Sequence, residues 1–125
     1  MLALWGQCGL IEKNEAKIVR DEIATKMSRD PELFLVYELG GEILGTVVGG
    51  WDGWRGWIYK LGVSEKRRRK GIGSALVLEI TQRLTKLGAK RIGAYAFSMN
   101  SASISLFKKI GFFRLDVDLV RLRLR

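Results

Sequence analysis

Leu61-Gly62-Val63-Ser64-Glu65-Lys66-Arg67-Arg68-Arg69-Lys70-Gly71-Ile72-Gly73-Ser74-Ala75-Leu76 carries the chain from a strand, through a cationic loop, into a helix. Up to Val63 the run Ile58 to Val63 reads as a strand. Beyond Gly71 the apolar period becomes helical, with Ile72, Leu76, Ile80, Leu84 and Leu87 on one stripe and Gly88 as the C′ residue that ends it. Such a junction gathers three attractions for phosphate: helix N-terminal amides without partners, the positive end of the helix dipole, and surrounding cations. Glycine removes the Cβ that would hold a ligand away from the backbone. The spacing excludes a P-loop, which needs four residues between its glycines followed by Lys and Ser or Thr. It also excludes the dinucleotide fingerprint, because Leu76 stands where a third glycine belongs. Taken alone, Gly-x-Gly equally describes an eased helix start.

On the N-terminal side, Leu2 to Cys8 reads as a helical turn closed by Gly9. Asn14 can cap a longer helix reaching about Ser28, with Ala16, Val19, Ile23 and Met27 on its apolar face and Asp30-Pro31 ending it. Leu33 to Tyr37 and Ile43 to Gly49 read as an antiparallel hairpin turned by Gly40-Gly41. A Trp/Gly-rich turn, Trp51 to Trp57, precedes the strand Ile58 to Val63. After the helix, Lys90 to Phe97 reads as a strand, Ser101 to Ile110 as a helix stopped by Gly111, and the tail as a strand with a fault near Leu119-Val120, where the apolar positions change from odd to even. The expected fold is mixed α/β, with a hairpin first and strand-helix-strand units after it.

At 125 residues, with 47% hydrophobic and 28% charged side chains, the chain fits one globular domain, 1–125, burying roughly two thirds of its unfolded surface. One cysteine, Cys8, excludes an internal disulfide, and the absence of histidine excludes imidazole bases, Ser-His-Asp triads and His-containing zinc sites. No metal is expected. The net charge of +9 attracts anions, and much of it lies in Lys66 to Lys70 and in Arg121, Arg123 and Arg125. No targeting signal and no membrane-length apolar run are seen, so a cytoplasmic chain without a membrane partner is expected.

Two motifs resemble the GNAT superfamily of N-acetyltransferases. Arg68-Arg69-Lys70-Gly71-Ile72-Gly73 matches the family's coenzyme A loop, Arg/Gln-x-x-Gly-x-Gly/Ala. Asn100 to Phe112 is similar to its second motif, Asn-x-x-Ala-x-x-Leu-Tyr-x-x-x-Gly-Phe. With Leu33 to Val36, Gly45 to Gly50 and Tyr59 to Val63, the chain looks most like the small YpeA-type bacterial acetyltransferases. The resemblance implies the acyl-CoA N-acyltransferase fold, a central mixed and mostly antiparallel sheet flanked by helices. It implies acetyl-CoA as co-substrate and a small-molecule or peptide amine as acceptor, attacking directly in a ternary complex. Val63 would polarise the thioester carbonyl through its amide, with Leu61 and Val63 pairing to the pantetheine arm. Arg68, Arg69, Lys70, Gly71, Ile72, Gly73 and Ser74 would hold the phosphates, and Asn100 and Phe107 would lie beside the cofactor arm.

The chain departs from the family pattern in three places. Phe107 stands where a tyrosine usually protonates the departing thiolate, leaving solvent, Tyr59 or Tyr95 for that task. Between Gly53 and Ser64 there is no carboxylate to serve as base, and Asp52, Glu38 and Glu42 are near only in sequence. The family's first strand is not expected within this chain, through a shortened reading frame or because a homodimer covers the open edge at Leu33 to Tyr37. Two other readings stand beside catalysis. Basic residues next to Trp51, Trp54 and Trp57 suit a nucleic-acid module, although a packed corner or an amine-pocket wall accounts for those tryptophans better. A cofactor-binding relative without transferase activity is the other.

Overall fold

The structure, a computed structural model, describes residues 2–8, 16–67, 71–97, 100–122 and 124. The Asn14 cap, the Gly9 stop and Arg68, Arg69 and Lys70 lie outside the described residues. Four helices, α1 (Leu2–Gln7), α2 (Ala16–Arg29), α3 (Ile72–Leu87) and α4 (Ser101–Ile110), flank four strands, β1 (Phe34–Leu39), β2 (Glu42–Trp51), β3 (Gly56–Val63) and β4 (Ile92–Ala94). The sheet order is β1-β2-β3-β4. The first three strands pair antiparallel, and β4 joins β3 in parallel. This is the expected mixed, mostly antiparallel sheet.

Local chemistry explains the connections. Gly40 and Gly41 take φ of 59° and 80°, the left-handed pair that a two-residue hairpin needs to match strand twist. Asp52 builds the next turn: its carboxylate accepts from the amides of Trp54 (2.8 Å) and Arg55 (2.7 Å) and from the Trp57 indole (3.1 Å). Helix α3 then lies across the sheet, and Ile72, Leu76, Val77, Ile80 and Leu84 pack with Val47, Ile58 and Leu61 in the main core. The opposite face carries a smaller cluster of Trp5, Val19, Phe34 and Val48, with Ile23 and Tyr59 against it. Leu87 and Met27, expected on buried stripes, are 43% and 47% exposed, because each stands at the last turn of its helix, past the sheet.

Two expectations about strands are corrected. The segment Lys90 to Phe97 is a strand only over Ile92–Ala94, since its partner β3 diverges from it there. The tail forms no strand among the described residues, and Phe113, Leu115, Val117, Leu119, Val120 and Leu122 are exposed. Strand propensity without a facing ladder leaves backbone groups to water, and β4 ends too soon to supply one. The fault expected near Leu119-Val120 therefore has no partner strand to bulge against.

A bulge does occur in β3. Val48 pairs with Tyr59 and Thr46 with Gly62, so Lys60 and Leu61 together oppose Val47, and Lys60 takes a φ of 55°. One consequence is that Tyr59 and Lys60, though adjacent, line the same cavity on the α2 side, while Leu61 returns to the main core.

Candidate active site

β3 and β4 run together over Gly56↔Ile92, Trp57↔Gly93 and Ile58↔Ala94, and the Tyr95 amide donates to the Ile58 carbonyl at 2.9 Å. Past that bond β4 has ended and β3 continues to Val63, so the strands part and open a cleft. Which main-chain groups face the cleft follows from alternation. The Ser64 amide donates to the Leu44 carbonyl at 2.7 Å on the β2 side, and successive residues point to opposite sides. Leu61 and Val63 therefore turn their amides and carbonyls away from β2. Two contacts mark that side: Ser103 Oγ donates to the Leu61 carbonyl (3.4 Å) and Cys8 Sγ to the Val63 carbonyl (3.5 Å).

The N-terminus of α3 stands at the end of the loop that follows. Gly71 has a φ of 79°, the left-handed entry to the helix, and among the described residues nothing beyond its chain neighbours lies within 4 Å of where a Cβ would stand. The first helical bond in this turn runs from the Ala75 amide to the Gly71 carbonyl, and no side chain caps the end. Helix geometry leaves the amides of Ile72, Gly73 and Ser74 without an intrahelical acceptor among the described residues, at the positive end of the dipole. Lys66 and Arg67 are exposed on the 3₁₀ turn that follows β3.

The side chains of several expected site residues go elsewhere. Ile72 is 7% exposed and belongs to the core, leaving only its main chain for a ligand. A Cβ on Gly73 would meet Leu106 Cδ2 at 2.6 Å, so any side chain here has to displace the end of Leu106 where α3 approaches α4. Phe107 is 5% exposed, with its ring 5.1 Å from that of Phe112. Asn100 caps α4, its Oδ1 accepting from the Ser103 amide at 3.2 Å, on the helix end whose Ser103 touches Leu61.

Sequence reasoning missed two neighbours of the cleft. Cys8, 55 residues away in sequence, reaches the Val63 carbonyl. Trp5 forms part of a cavity of about 580 Å³ that also involves Phe34, Val48, Tyr59, Lys60 and the α2 residues Asp21, Glu22, Lys26 and Asp30. The tryptophans of the turn do not line it. Trp51 packs on the core, Trp57 stacks on Tyr95 at 5.2 Å, and Trp54 is exposed beneath the Arg55 guanidinium. They form a corner and no stacking platform.

The acidic groups are sorted by position. Asp52 is held below its ordinary value by the Arg55 amide, the Trp57 indole and the Trp54 amide, and it belongs to the turn at the opposite end of β3 from Val63. Asp30 is bound by Lys26 (3.0 Å) and approached by Arg29 (3.9 Å). Asp21 and Glu22 make no ion pair among the described residues. Among those residues no group of His, Cys, Asp or Glu gathers as a metal site, and no helix is long and apolar enough to cross a membrane.

The profile of the acetyltransferase (GNAT) family matches residues 3–112 of the chain. The chain belongs to the GNAT acetyltransferase family. This GNAT chain is 36% identical over 111 residues to Acetyltransferase SG1711 of Sodalis glossinidius, a match covering 88% of the chain and 76% of that protein. It is 36% identical over 117 residues to Acetyltransferase ECA0875 of Pectobacterium atrosepticum, covering 93% and 81%. Among solved structures, the GNAT fold described above superposes on the paiA N-acetyltransferase of Thermoplasma acidophilum in complex with coenzyme A. That match has a TM-score of 0.76 and 21% identity, and it covers 91% of this chain and 78% of the other. The chain is an acetyltransferase.

Proposed function

We propose that the protein moves an acetyl group from acetyl-CoA to a primary amine of a small molecule or peptide, by direct attack in a ternary complex. The observation that carries this reading is the turning of the Leu61 and Val63 main chain toward the gap that opens where β3 leaves β4. An extended pantetheine arm pairs with such an edge as an added strand would. The amides of Gly71 to Ser74, with Lys66, Arg67, Arg68, Arg69 and Lys70, hold the phosphates, and the Val63 amide donates to the thioester carbonyl, where negative charge develops during attack. Asn100 borders the arm from the start of α4, while Phe107 supports that helix from the core.

The amine approaches from the cavity between α2 and the sheet, where Asp21 and Glu22 attract it as an ammonium and Trp5, Phe34 and Tyr59 contact its apolar body. With no histidine in the chain and no carboxylate on β3, its proton leaves through water, and solvent or the phenols of Tyr59 and Tyr95 supply the one the departing thiolate takes. Holding amine and thioester together supplies much of the rate. Cytoplasmic location and pairing of two copies along β1 belong to the same proposal.

Calorimetric titration with acetyl-CoA tests it on the parent protein and on an Arg68→Ala/Gly71→Ala double variant. A loss of about tenfold or more in affinity is expected, corresponding to about 1.4 kcal/mol or more. Equal affinity in both overturns the loop assignment. Release of free thiol from acetyl-CoA with a panel of primary amines tests transfer, and binding without release from any amine leaves a cofactor-binding protein that does not transfer.

A further inference from the structure

Thr46 is 0% exposed, and its hydroxyl is fully committed. It accepts from the Trp5 indole N–H at 2.7 Å and donates to the Lys60 carbonyl at 2.9 Å. The direction of both bonds is fixed by chemistry: an indole N–H can only donate and a carbonyl can only accept, so the hydroxyl proton must point at Lys60. The carbonyl it holds belongs to the bulge residue, the one non-glycine among the described residues with a positive φ (55°). The bulge interrupts the regular ladder with β2, and a register that takes the extra residue out of β3 would correct it.

That correction has a chemical consequence. A slip of one residue exchanges the two sides of a strand, so Leu61 and Val63 would turn their amides and carbonyls to β2 and Gly62 would turn its own to the cleft. We infer that Thr46 is a positioning residue for acyl transfer: by holding the Lys60 carbonyl, its hydroxyl keeps the β3 bulge in place and so keeps Leu61 and Val63 facing the thioester arm. The inference rests on the reading of the cleft as the acetyl-CoA site. Thr46 touches no part of the ligand and acts through Lys60. Trp5 anchors the hydroxyl from α1, and its ring lies 5.4 Å from the Lys60 ammonium, so the bulge is held from both its carbonyl and its side chain.

The test separates the arm of the cofactor from its phosphates. Acetyl-CoA and adenosine 3′,5′-bisphosphate, which lacks the pantetheine arm, are titrated into the parent, Thr46→Val and Thr46→Ser. Valine keeps the volume and removes the hydroxyl, whereas serine keeps the hydroxyl. The expected result is a loss of about tenfold in acetyl-CoA affinity for Thr46→Val. The bisphosphate affinity of that variant should stay within about twofold of the parent, and Thr46→Ser should match the parent for both ligands. General destabilisation weakens both ligands together, so equal losses, or no loss, overturn the inference. If Thr46→Val is too unstable to titrate, Thr46→Ala and Thr46→Ser are compared, because both shorten the side chain and only serine keeps the hydroxyl that holds the Lys60 carbonyl. A selective loss of about tenfold in acetyl-CoA affinity in Thr46→Ala that Thr46→Ser does not share supports the inference, and equal acetyl-CoA affinity in the two overturns it. A parent protein that binds neither ligand refutes the proposed function itself, which is a different outcome.

Discussion

Replacing Gly73 by alanine places a Cβ 2.6 Å from Leu106 Cδ2, against ordinary carbon contact of about 3.5–4.0 Å. Relief requires about 1 Å of movement, either of the end of the Leu106 side chain or of α4 away from α3. Overpacking of this kind costs about 1–3 kcal/mol, partly offset by the roughly 0.5–1 kcal/mol that alanine gains over glycine in a helix. The expected net loss is about 1–2 kcal/mol by urea unfolding. Leu106→Ala alone opens a gap at a half-buried site and should cost about 2 kcal/mol, the low end for such truncations. In the double variant the new methyl fills part of that gap. Its cost should fall short of the sum of the single costs by about 1 kcal/mol or more, the signature of direct contact. Additivity within about 0.5 kcal/mol refutes the packing account of Gly73. The same variants bear on the site: the added methyl meets Leu106 of α4 at 2.6 Å and the Val63 side chain only at the ordinary contact distance of 3.5 Å. Acetyl-CoA affinity lost in Gly73→Ala should therefore return in the double variant, and if it stays lost, the glycine serves close approach of the ligand.

Further measurements reach other parts of the molecule. Asn100→Ala removes the cap on the Ser103 amide and should lower stability by about 1 kcal/mol in chemical denaturation, with Asn100→Asp recovering most of it. For Asp52 the sign follows from a carboxyl held below its ordinary value by the Arg55 amide, the Trp57 indole and the Trp54 amide: the stabilising bonds are fully present above the ordinary value and are lost as pH falls through the folded one. Thermal unfolding followed downward from pH 5 should show the parent converging on Asp52→Ala only in the acid limb, and a constant difference down to pH 2 contradicts this. β1 is an outer strand among the described residues, with Val36, Tyr37 and Leu39 exposed at 41%, 40% and 51%, so sedimentation should show a dimer that Val36→Lys dissociates. A monomer at high concentration counts against pairing along that edge.

Much of the fold was legible because local rules and tertiary packing agree. The turn at Gly40-Gly41, the helix from Ile72 to Leu87 and the helix from Ser101 to Ile110 lie where glycine chemistry and apolar period placed them. The tail was misread because its strand propensity is local, whereas a strand exists only beside another. Of the site, the cationic loop and its glycines were visible as a pattern, but the reasons for the glycines were not. Gly71 serves backbone conformation, while Gly73 serves the fit of two helices whose contact no spacing reveals. Cys8 and Trp5 were passed over because each is separated from its partner by much of the chain: Cys8 meets Val63 at a sequence distance of 55, and Trp5 meets Thr46 at 41.

The amino-acid order by itself determined the kinds of element, their order, the cationic loop and the family resemblance, because periodicity, capping and turn preference act over a few residues. Tertiary structure decided where β3 leaves β4, which side of β3 faces the gap, and which aromatic side chains line the cavity. Those outcomes depend on a bulge held by a threonine from the neighbouring strand, and on a ladder that stops when its partner turns away. Both are contacts between distant segments, whose free energy exists only once the chain has folded.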